Sequence, residues 1–334
     1  MKQLQIVGIA SIFLLVACNL GNEKKGNNNR ANLLLPKTIL VNQEFMSENT
    51  TIPAWQKNFN FSNFIEDVFD NVLNSTLSVF DPLSDDSTGK KCQVNEILSK
   101  MGQTKDTLIV TDEATEEKVY IQPKDTFLLK EIKSLYFEEE WSMDTSEPFV
   151  FEKNIISWCP VRYYTTENKT FKSLIFKISK GNPAQILAKN IIYEVDLTDI
   201  LQTGNLKNLN VSKLVSLIYN KAISGKAKLY DPMNVDKELS VTQVRQTLGE
   251  RTDTVYVDDP ETGESVQKIV KTIINPKEIE SLVFVEDWYY DSKTFAIKKV
   301  VKGIAPVRHY YKMEDKMKTI PFVIFTGNEK INIF

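Results

Sequence analysis

Two glutamates occupy positions where a carboxylate is costly. On strict strand alternation Leu135, Phe137, Glu139 and Trp141 share one face, and Leu282, Phe284, Glu286 and Trp288 share another. An acid among large apolar side chains can hold a displaced pKa and work as a proton carrier in a pocket. It can also be half of a structural ion pair. The chain offers the cations: Lys153 and Lys299 lie on the segments that return from turns near residues 145–147 and 291–294. Each lysine then falls about opposite the glutamate of its own hairpin. The expected structural ion pairs are therefore Glu139 with Lys153 and Glu286 with Lys299, and this reading outweighs a catalytic one.

Other catalytic sets are poorly supplied. Nucleophilic catalysis usually needs a base beside the nucleophile, and the sole histidine, His309, aligns internally with Tyr163, which marks a half-exposed strand residue. One histidine and three cysteines cannot build a Cys/His metal site, and no glycine-rich phosphate loop occurs, so no metal and no cofactor is expected. Asp81, Asp85 and Asp86, and then Asp258, Asp259, Glu261 and Glu264, crowd into turns without the spacing of a calcium loop. They read as solvated turns. Cys92 and Cys159 are either two buried thiols or a disulfide, and the spacing does not decide between them.

What must position these residues is a duplication. Residues 93–110 align with residues 240–257, setting Gly102 on Gly249 at an offset of 147. Nearly the same offset carries Trp141 onto Trp288, Pro160 onto Pro306 and Arg162 onto Arg308. Each unit has one amphipathic helix, spaced by Phe64, Ile65, Val68, Phe69, Val72 and Leu73 or by Leu214, Val215, Ile218, Tyr219, Ala222 and Ile223. A second short helix covers Val94–Met101 or Val241–Leu248 and stops at a glycine suited to the left-handed conformation. Strands follow: a short hairpin, a longer hairpin from Ile132 or Ile279, and a last strand near Phe171–Ile178 or Ile320–Phe325. Helices first and strands after predict an α+β fold of two repeated domains, each with two short helices and a mostly antiparallel sheet.

The ends set the compartment. A basic start at Lys2, an apolar run from Leu4 to Ala17 and then Cys18 read as an export signal too short to span a bilayer. Leu15-Val16-Ala17-Cys18 resembles the lipobox of bacterial lipoproteins, which implies cleavage before Cys18 and acylation of its thiol. The expected layout is a lipoprotein signal peptide over 1–17, acylated cysteine and flexible tether over 18–44, and repeats over 45–182 and 183–334. Loss of residues 1–17 removes Lys2 and no acid, moving the formal net charge from −3 to −4. Both signs are interspersed, which excludes nucleic acid as a partner. Asn19 after the cysteine, without an acidic cluster, points to an outer-membrane anchor facing the periplasm, with surface exposure as the alternative.

The second unit resembles a known family. The segments Tyr193-Glu194-Val195-Asp196-Leu197, Leu217 to Tyr230, Trp288-Tyr289-Tyr290-Asp291 and Gly303-Ile304-Ala305-Pro306-Val307 are similar to the gliding-motility GldN (PorN) family. That family supplies periplasmic components of the type IX secretion system of Bacteroidota, which form a ring with a partner lipoprotein and work without catalysis. The likeness covers about residues 190–325 and, through the repeat, extends to 45–180. It implies a non-enzymatic scaffold or adaptor with envelope proteins, secretion-ring components among them, or a second copy of the chain as partners. The chain departs from the family in carrying its own lipid cysteine and two copies of the domain, as a stand-alone paralogue would. The alternative is a lipid-anchored carbohydrate- or peptide-binding protein, suggested by Tyr163, Tyr164, Tyr289, Tyr290, Tyr310 and Tyr311. A hydrolase working with paired acids ranks last, for want of a base or metal set.

Overall fold

The protein is described by a computed structural model over residues 39–45, 59–84, 89–102, 108–111, 118–121, 129–145, 149–198, 206, 208–258 and 260–333. Cys18 and the export signal read around it lie outside these residues. In chain order the first half runs β1 (Ile39–Glu44), α1 (Phe61–Leu73), α2 (Val94–Lys100), β2 (Leu108–Thr111), β3 (Lys118–Ile121), β4 (Ile132–Asp144), β5 (Val150–Thr166), β6 (Lys169–Leu174) and β7 (Ile178–Ser179). The second half repeats that order with one small insertion. It runs β8 (Gln185–Asp196), α3 (Val211–Ile223), β9 (Tyr230–Asp231), β10 (Asn234–Glu238), α4 (Val241–Thr247), β11 (Arg251–Asp258), β12 (Ser265–Thr272), β13 (Ile279–Tyr290), β14 (Ile297–Lys312), β15 (Asp315–Thr319) and β16 (Ile324–Phe325).

Local chemistry explains the helix bounds. The side chain of Asn60 accepts from the amide of Asn63 at the start of α1, and Asn210 accepts from Lys213 at the start of α3. The Glu96 carboxylate accepts from the Gln93 amide before α2, and Ser240 and Gln243 cap α4 reciprocally. Both short helices end at the expected glycine in the left-handed region, Gly102 at φ 87° and Gly249 at φ 102°.

Two antiparallel sheets of identical topology result, β1-β4-β5-β6 with β7 on β5, and β8-β13-β14-β15 with β16 on β14. Two differences from the sequence reading stand out. The first sheet opens with β1, paired from Ile39↔Glu139 to Glu44↔Ser134, inside the stretch 18–44 assigned to the tether. Six residues with only a short apolar run carry too little signal to separate an edge strand from a linker. The single last strand expected in each unit is two: β6 and β7, or β15 and β16. They pair with successive parts of the same long strand.

The interiors are not kept apart. Ile65, Val68, Phe69 and Phe137 of the first half share a core with Ile191, Trp288, Phe295 and Ile297 of the second. Reciprocally, Leu214, Ile218, Phe284 and Phe322 share a core with Trp141, Met143, Phe149 and Phe151. The distal ends of the two long hairpins, β4–β5 and β13–β14, have changed places. Trp158 donates from Nε1 to the carbonyl of Phe295 at 2.8 Å, and Lys221 on α3 donates to the carbonyl of Thr145 at 2.7 Å. The interior therefore belongs to both halves.

The outer face of the second sheet has a cover of its own. Val283, Val285, Ala305 and Val307 pack under Ile331 and Ile333 near the C-terminus.

Candidate functional site

Where the hairpins cross, the duplicated glutamates and lysines meet. Alternation along β4 holds, with Leu135, Phe137, Glu139, Trp141 and Met143 buried on one face. Glu139 and Glu286 sit on the second strand of each sheet, opposite Ile39 and Ile191 of the flanking strands. Lys153 Nζ lies 2.7 Å from Glu286 Oε1, and Lys299 Nζ lies 2.6 Å from Glu139 Oε1. All four side chains are fully shielded from solvent.

The remaining carboxylate oxygens are also bound. Trp141 Nε1 donates to Glu139 Oε2 at 2.6 Å and Trp288 Nε1 to Glu286 Oε2 at 2.8 Å. Each ammonium rests on aromatic faces from both halves. Lys153 Nζ is 3.2 Å from the Phe284 ring centroid and 4.8 Å from that of Trp141. Lys299 Nζ is 3.4 Å from Phe137 and 4.7 Å from Trp288. Each indole thus steadies the glutamate of its own half, while each lysine crosses to the other.

Tyr193 on β8 breaks the symmetry. Its hydroxyl accepts from Lys153 at 2.8 Å and donates to Glu286 at 3.0 Å. The register puts Val41 at the equivalent place in the first sheet, opposite Phe137 as Tyr193 is opposite Phe284, so the phenol hydroxyl bonds the Lys153–Glu286 pair while its ring lies 5.5 Å from Lys299. Burial pushes the Tyr193 phenol well above 10.0, and the two carboxylates add to the effect. For Glu286 burial works to raise the carboxyl. Lys153 and Lys299, with the hydrogen bonds from Lys153 and Trp288, outweigh it and hold the group below 4.5. Burial pushes the Lys153 ammonium below 10.5 and outweighs the pull of Glu286 and Glu139, so the same burial that Glu286 overcomes weighs against its partner.

The partners differ from those expected. Trp141, not Glu139, is opposite Lys153, and Trp288, not Glu286, is opposite Lys299. A bulge beside each glutamate contributes: Ile156 and Lys302 are the extra residues on β5 and β14. The larger cause is that the sheets face each other, so the nearest carboxylate to each ammonium is on the opposing sheet. Pairing within a hairpin can be inferred from strand spacing, whereas pairing between sheets cannot. Sequence spacing gives no sign of the contacts Tyr193 makes, because one phenol on a strand carries no local signal and its repeat partner is a valine.

The other repeated motif residues form a second matched device. Arg162 Nε is 2.5 Å from Glu131 Oε2 and its Nη1 donates to the carbonyl of Lys100 at 3.0 Å. Arg308 Nε is 2.6 Å from Glu278 Oε2, with Nη1 3.5 Å from the carbonyl of Thr247. Both guanidinium groups lie against the glycine closing the short helix, where a Cβ would collide with them. They tie the C-terminal ends of α2 and α4 to the central strands. Pro160 and Pro306 take matching places opposite Leu135 and Leu282.

The remaining candidates are dispersed. His309 Nδ1 lies 2.6 Å from Glu280, which Lys316 also reaches at 2.7 Å, in a charge ladder on the strand surface. Cys92 and Cys159 are free thiols, and burial pushes that of Cys159 up to about 12. Asp81 caps its own turn through the amide of Leu83, while Asp85, Asp86 and Asp259 lie outside the described residues. Tyr164 stacks on Phe171 with centroids 5.6 Å apart, and Tyr290 packs edge-on against Phe64. An open groove of about 990 Å³ runs over the crossing, lined by Glu140, Glu152, Asn154, Lys180 and Lys298 and also by Lys153 and Lys299, whose side chains stay shielded from solvent.

Comparison with known proteins gives one clear result. The profile of the family described as "Gliding motility associated protein GldN" matches residues 41–199 and, again, residues 184–326. No curated protein matches the chain.

Proposed function

Since the chain belongs to the family of the gliding motility associated protein GldN, we propose that it is a non-enzymatic scaffold or adaptor of the bacterial cell envelope, serving type IX secretion or gliding. The observation that carries this reading is the double match of the family together with the reciprocal exchange of hairpins. Two copies that share an interior make one stiff body with two related outer surfaces, which suits holding partners at a fixed separation. The buried Glu–Lys quartet serves that stiffness: its polar atoms are engaged with one another and with the two indoles, and its side chains are shielded from solvent.

We further read Cys18 as the lipid attachment point, with an outer-membrane anchor and the repeats in the periplasm. No described helix is long and apolar enough to cross a membrane. Envelope proteins, secretion-ring components among them, are then the partners. Of the six tyrosines that suggested a carbohydrate binder, Tyr164 stacks on Phe171 and Tyr290 packs against Phe64 and Phe295, whereas Tyr311 is exposed.

Deletion of the gene in its own host tests the proposal. Secretion of type IX cargo or spreading on agar should fall, and the tagged chain should retain envelope proteins after mild cross-linking. Normal secretion and spreading in the deletion strain, with no envelope protein retained, would remove the scaffold reading.

A further inference from the structure

The outer face of the second sheet is apolar where its counterpart in the first is polar. Val283, Val285, Ala305 and Val307 line it, and Val323 and Phe325 beside β14 complete it. The ring of Phe325 lies on Gly303, where a Cβ would come within 2.9 Å of it. The matching registers put Tyr136 in the place of Val283, Glu138 in that of Val285, Ser157 in that of Gly303 and Ser179 in that of Phe325. One topology thus carries either kind of face, and the sheet itself does not require an apolar one.

What covers this face is not part of the sheet. Residues 329–333 join no strand, yet Ile331 and Ile333 are buried with Asn332 exposed between them. Two isoleucines two positions apart seat on one surface, as alternate side chains of an extended segment do.

The charges ahead of them hold only at the rim. Glu329, its side chain 60 % exposed, reaches Lys302 at 2.7 Å. Lys330 lies 4.6 Å from the Tyr230 ring centroid and 3.9 Å from Asp236, which is 91 % exposed. Exposed pairs of this kind add little, so the grip of the segment comes mainly from its two isoleucines. A segment held at so few points opens far more readily than the sheet beneath it.

We propose that this face is a peptide-binding site, filled by the chain's own residues 329–333 and open to an extended segment of a protein partner. The resident segment defines the ligand: an acid for Lys302, a cation for Tyr230 and Asp236, then two apolar side chains two positions apart. A lipid chain would fill the apolar floor but offer Lys302 no acid and the Tyr230 ring no cation. The site does not rest on the scaffold reading. A role in secretion would survive its failure, and the site would survive failure of that role.

Anisotropy of a fluorescent peptide added to the full chain tests the site. The probe copies residues 326–333, and its control has serine in place of both isoleucines. Ile331→Asp with Ile333→Asp unseats the chain's own cover, and a cooperative circular dichroism melt establishes that this variant folds. The variant should bind the probe at least about tenfold more tightly than the native chain does, because the resident segment no longer competes, and at least about tenfold more tightly than it binds the control. A second probe that keeps the pattern in other residues, Asp-Arg-Val-Ser-Val as its last five, should bind within about tenfold of the first. Amide exchange of the native chain gives a reading that needs no variant: residues 329–333 should exchange at least about a hundredfold faster than residues 303–305 of β14. Failure of the folded variant to bind, equal binding by native chain and variant, rejection of the second probe, or protection of 329–333 equal to that of β14 would each overturn the proposal.

Discussion

Lys153 of the first repeat is held at 2.7 Å by Glu286 of the second, closed to solvent, and the mirror-image contact of Lys299 with Glu139 lies beside it. The two contacts are the chemical signature of the hairpin exchange. A lysine that answered the glutamate of its own hairpin would hold only one repeat together. These hold one repeat to the other.

The exchange predicts which double variants are coupled. Glu286→Gln alone strands a buried ammonium and should cost about 3 kcal/mol, read by chemical denaturation. Combined with Lys153→Met the cost should be much less than the sum of the two single changes. Combined with Lys299→Met, whose ammonium is bonded to Glu139, the discount should be distinctly smaller. A larger coupling to Lys299 than to Lys153 would restore the within-hairpin pairing.

The quartet also fixes two pH limits. Glu286 is lowered in the fold from 4.5, so its contribution is fully present above that value and is lost as pH falls through the folded pKa. Tyr193 is raised from 10.0, so its contribution is present below 10.0 and is lost as pH rises through the higher folded value. Melting temperature against pH should therefore fall off on the acid side below about 4.5 and on the alkaline side above about 10. Glu286→Gln should flatten the acid limb, and Tyr193→Phe the alkaline one. Unaltered limbs in both variants would show that neither group governs them.

Trp288 lies on a strand of the second sheet yet packs against Phe45, Phe59 and Phe137 of the first half. Trp288→Ala should cost about 3–5 kcal/mol and leave a cavity in the core beneath α1. Amide exchange should quicken in α1 as well as in β13. Quickening confined to residues beyond 185 would argue that the halves are energetically separate.

Gly249 has φ 102° with the Arg308 guanidinium against it, and Gly102 has φ 87° with Arg162 in the same place. Alanine at either position should destabilise by about 1–3 kcal/mol through backbone strain and displacement of the arginine. Thermal melts of Gly102→Ala and Gly249→Ala should fall by similar amounts. A neutral result at both would mean that the arginine latch does not bear on stability.

If Cys18 carries lipid, Cys18→Ser should release the chain from the membrane fraction or leave it uncleaved, as labelled palmitate uptake and fractionation would show. Membrane partitioning equal to that of the native chain would remove the anchor.

Much of the fold is readable along the chain because its signals are local. The helix of residues 61–73 is written in the spacing of Phe64, Val68 and Val72, and the stop at Gly102 in one residue type. The glutamate's face follows from alternation with Phe137 and Trp141. What could not be read is whose lysine answers that glutamate. Sequence spacing gives the order of partners within a hairpin, but whether a hairpin folds back on its own helix or onto its neighbour's depends on the whole packed assembly. The short strand β1 escaped for a related reason. Its order comes from the neighbouring strand β4, and little in Ile39–Glu44 itself announces it.

The exchanged hairpins also govern the sequence of events by which the protein is made. The core beneath α1 requires Trp288, Phe295 and Ile297, so residues near position 65 must wait for residues beyond 285 before they are sealed from water. Synthesis from the N-terminus delivers the first repeat long before those side chains exist, and contacts spanning so much of the chain are slow to close. The first repeat therefore lacks part of its interior until those residues have been made. Folding of both halves is completed together, after the last hairpin has arrived.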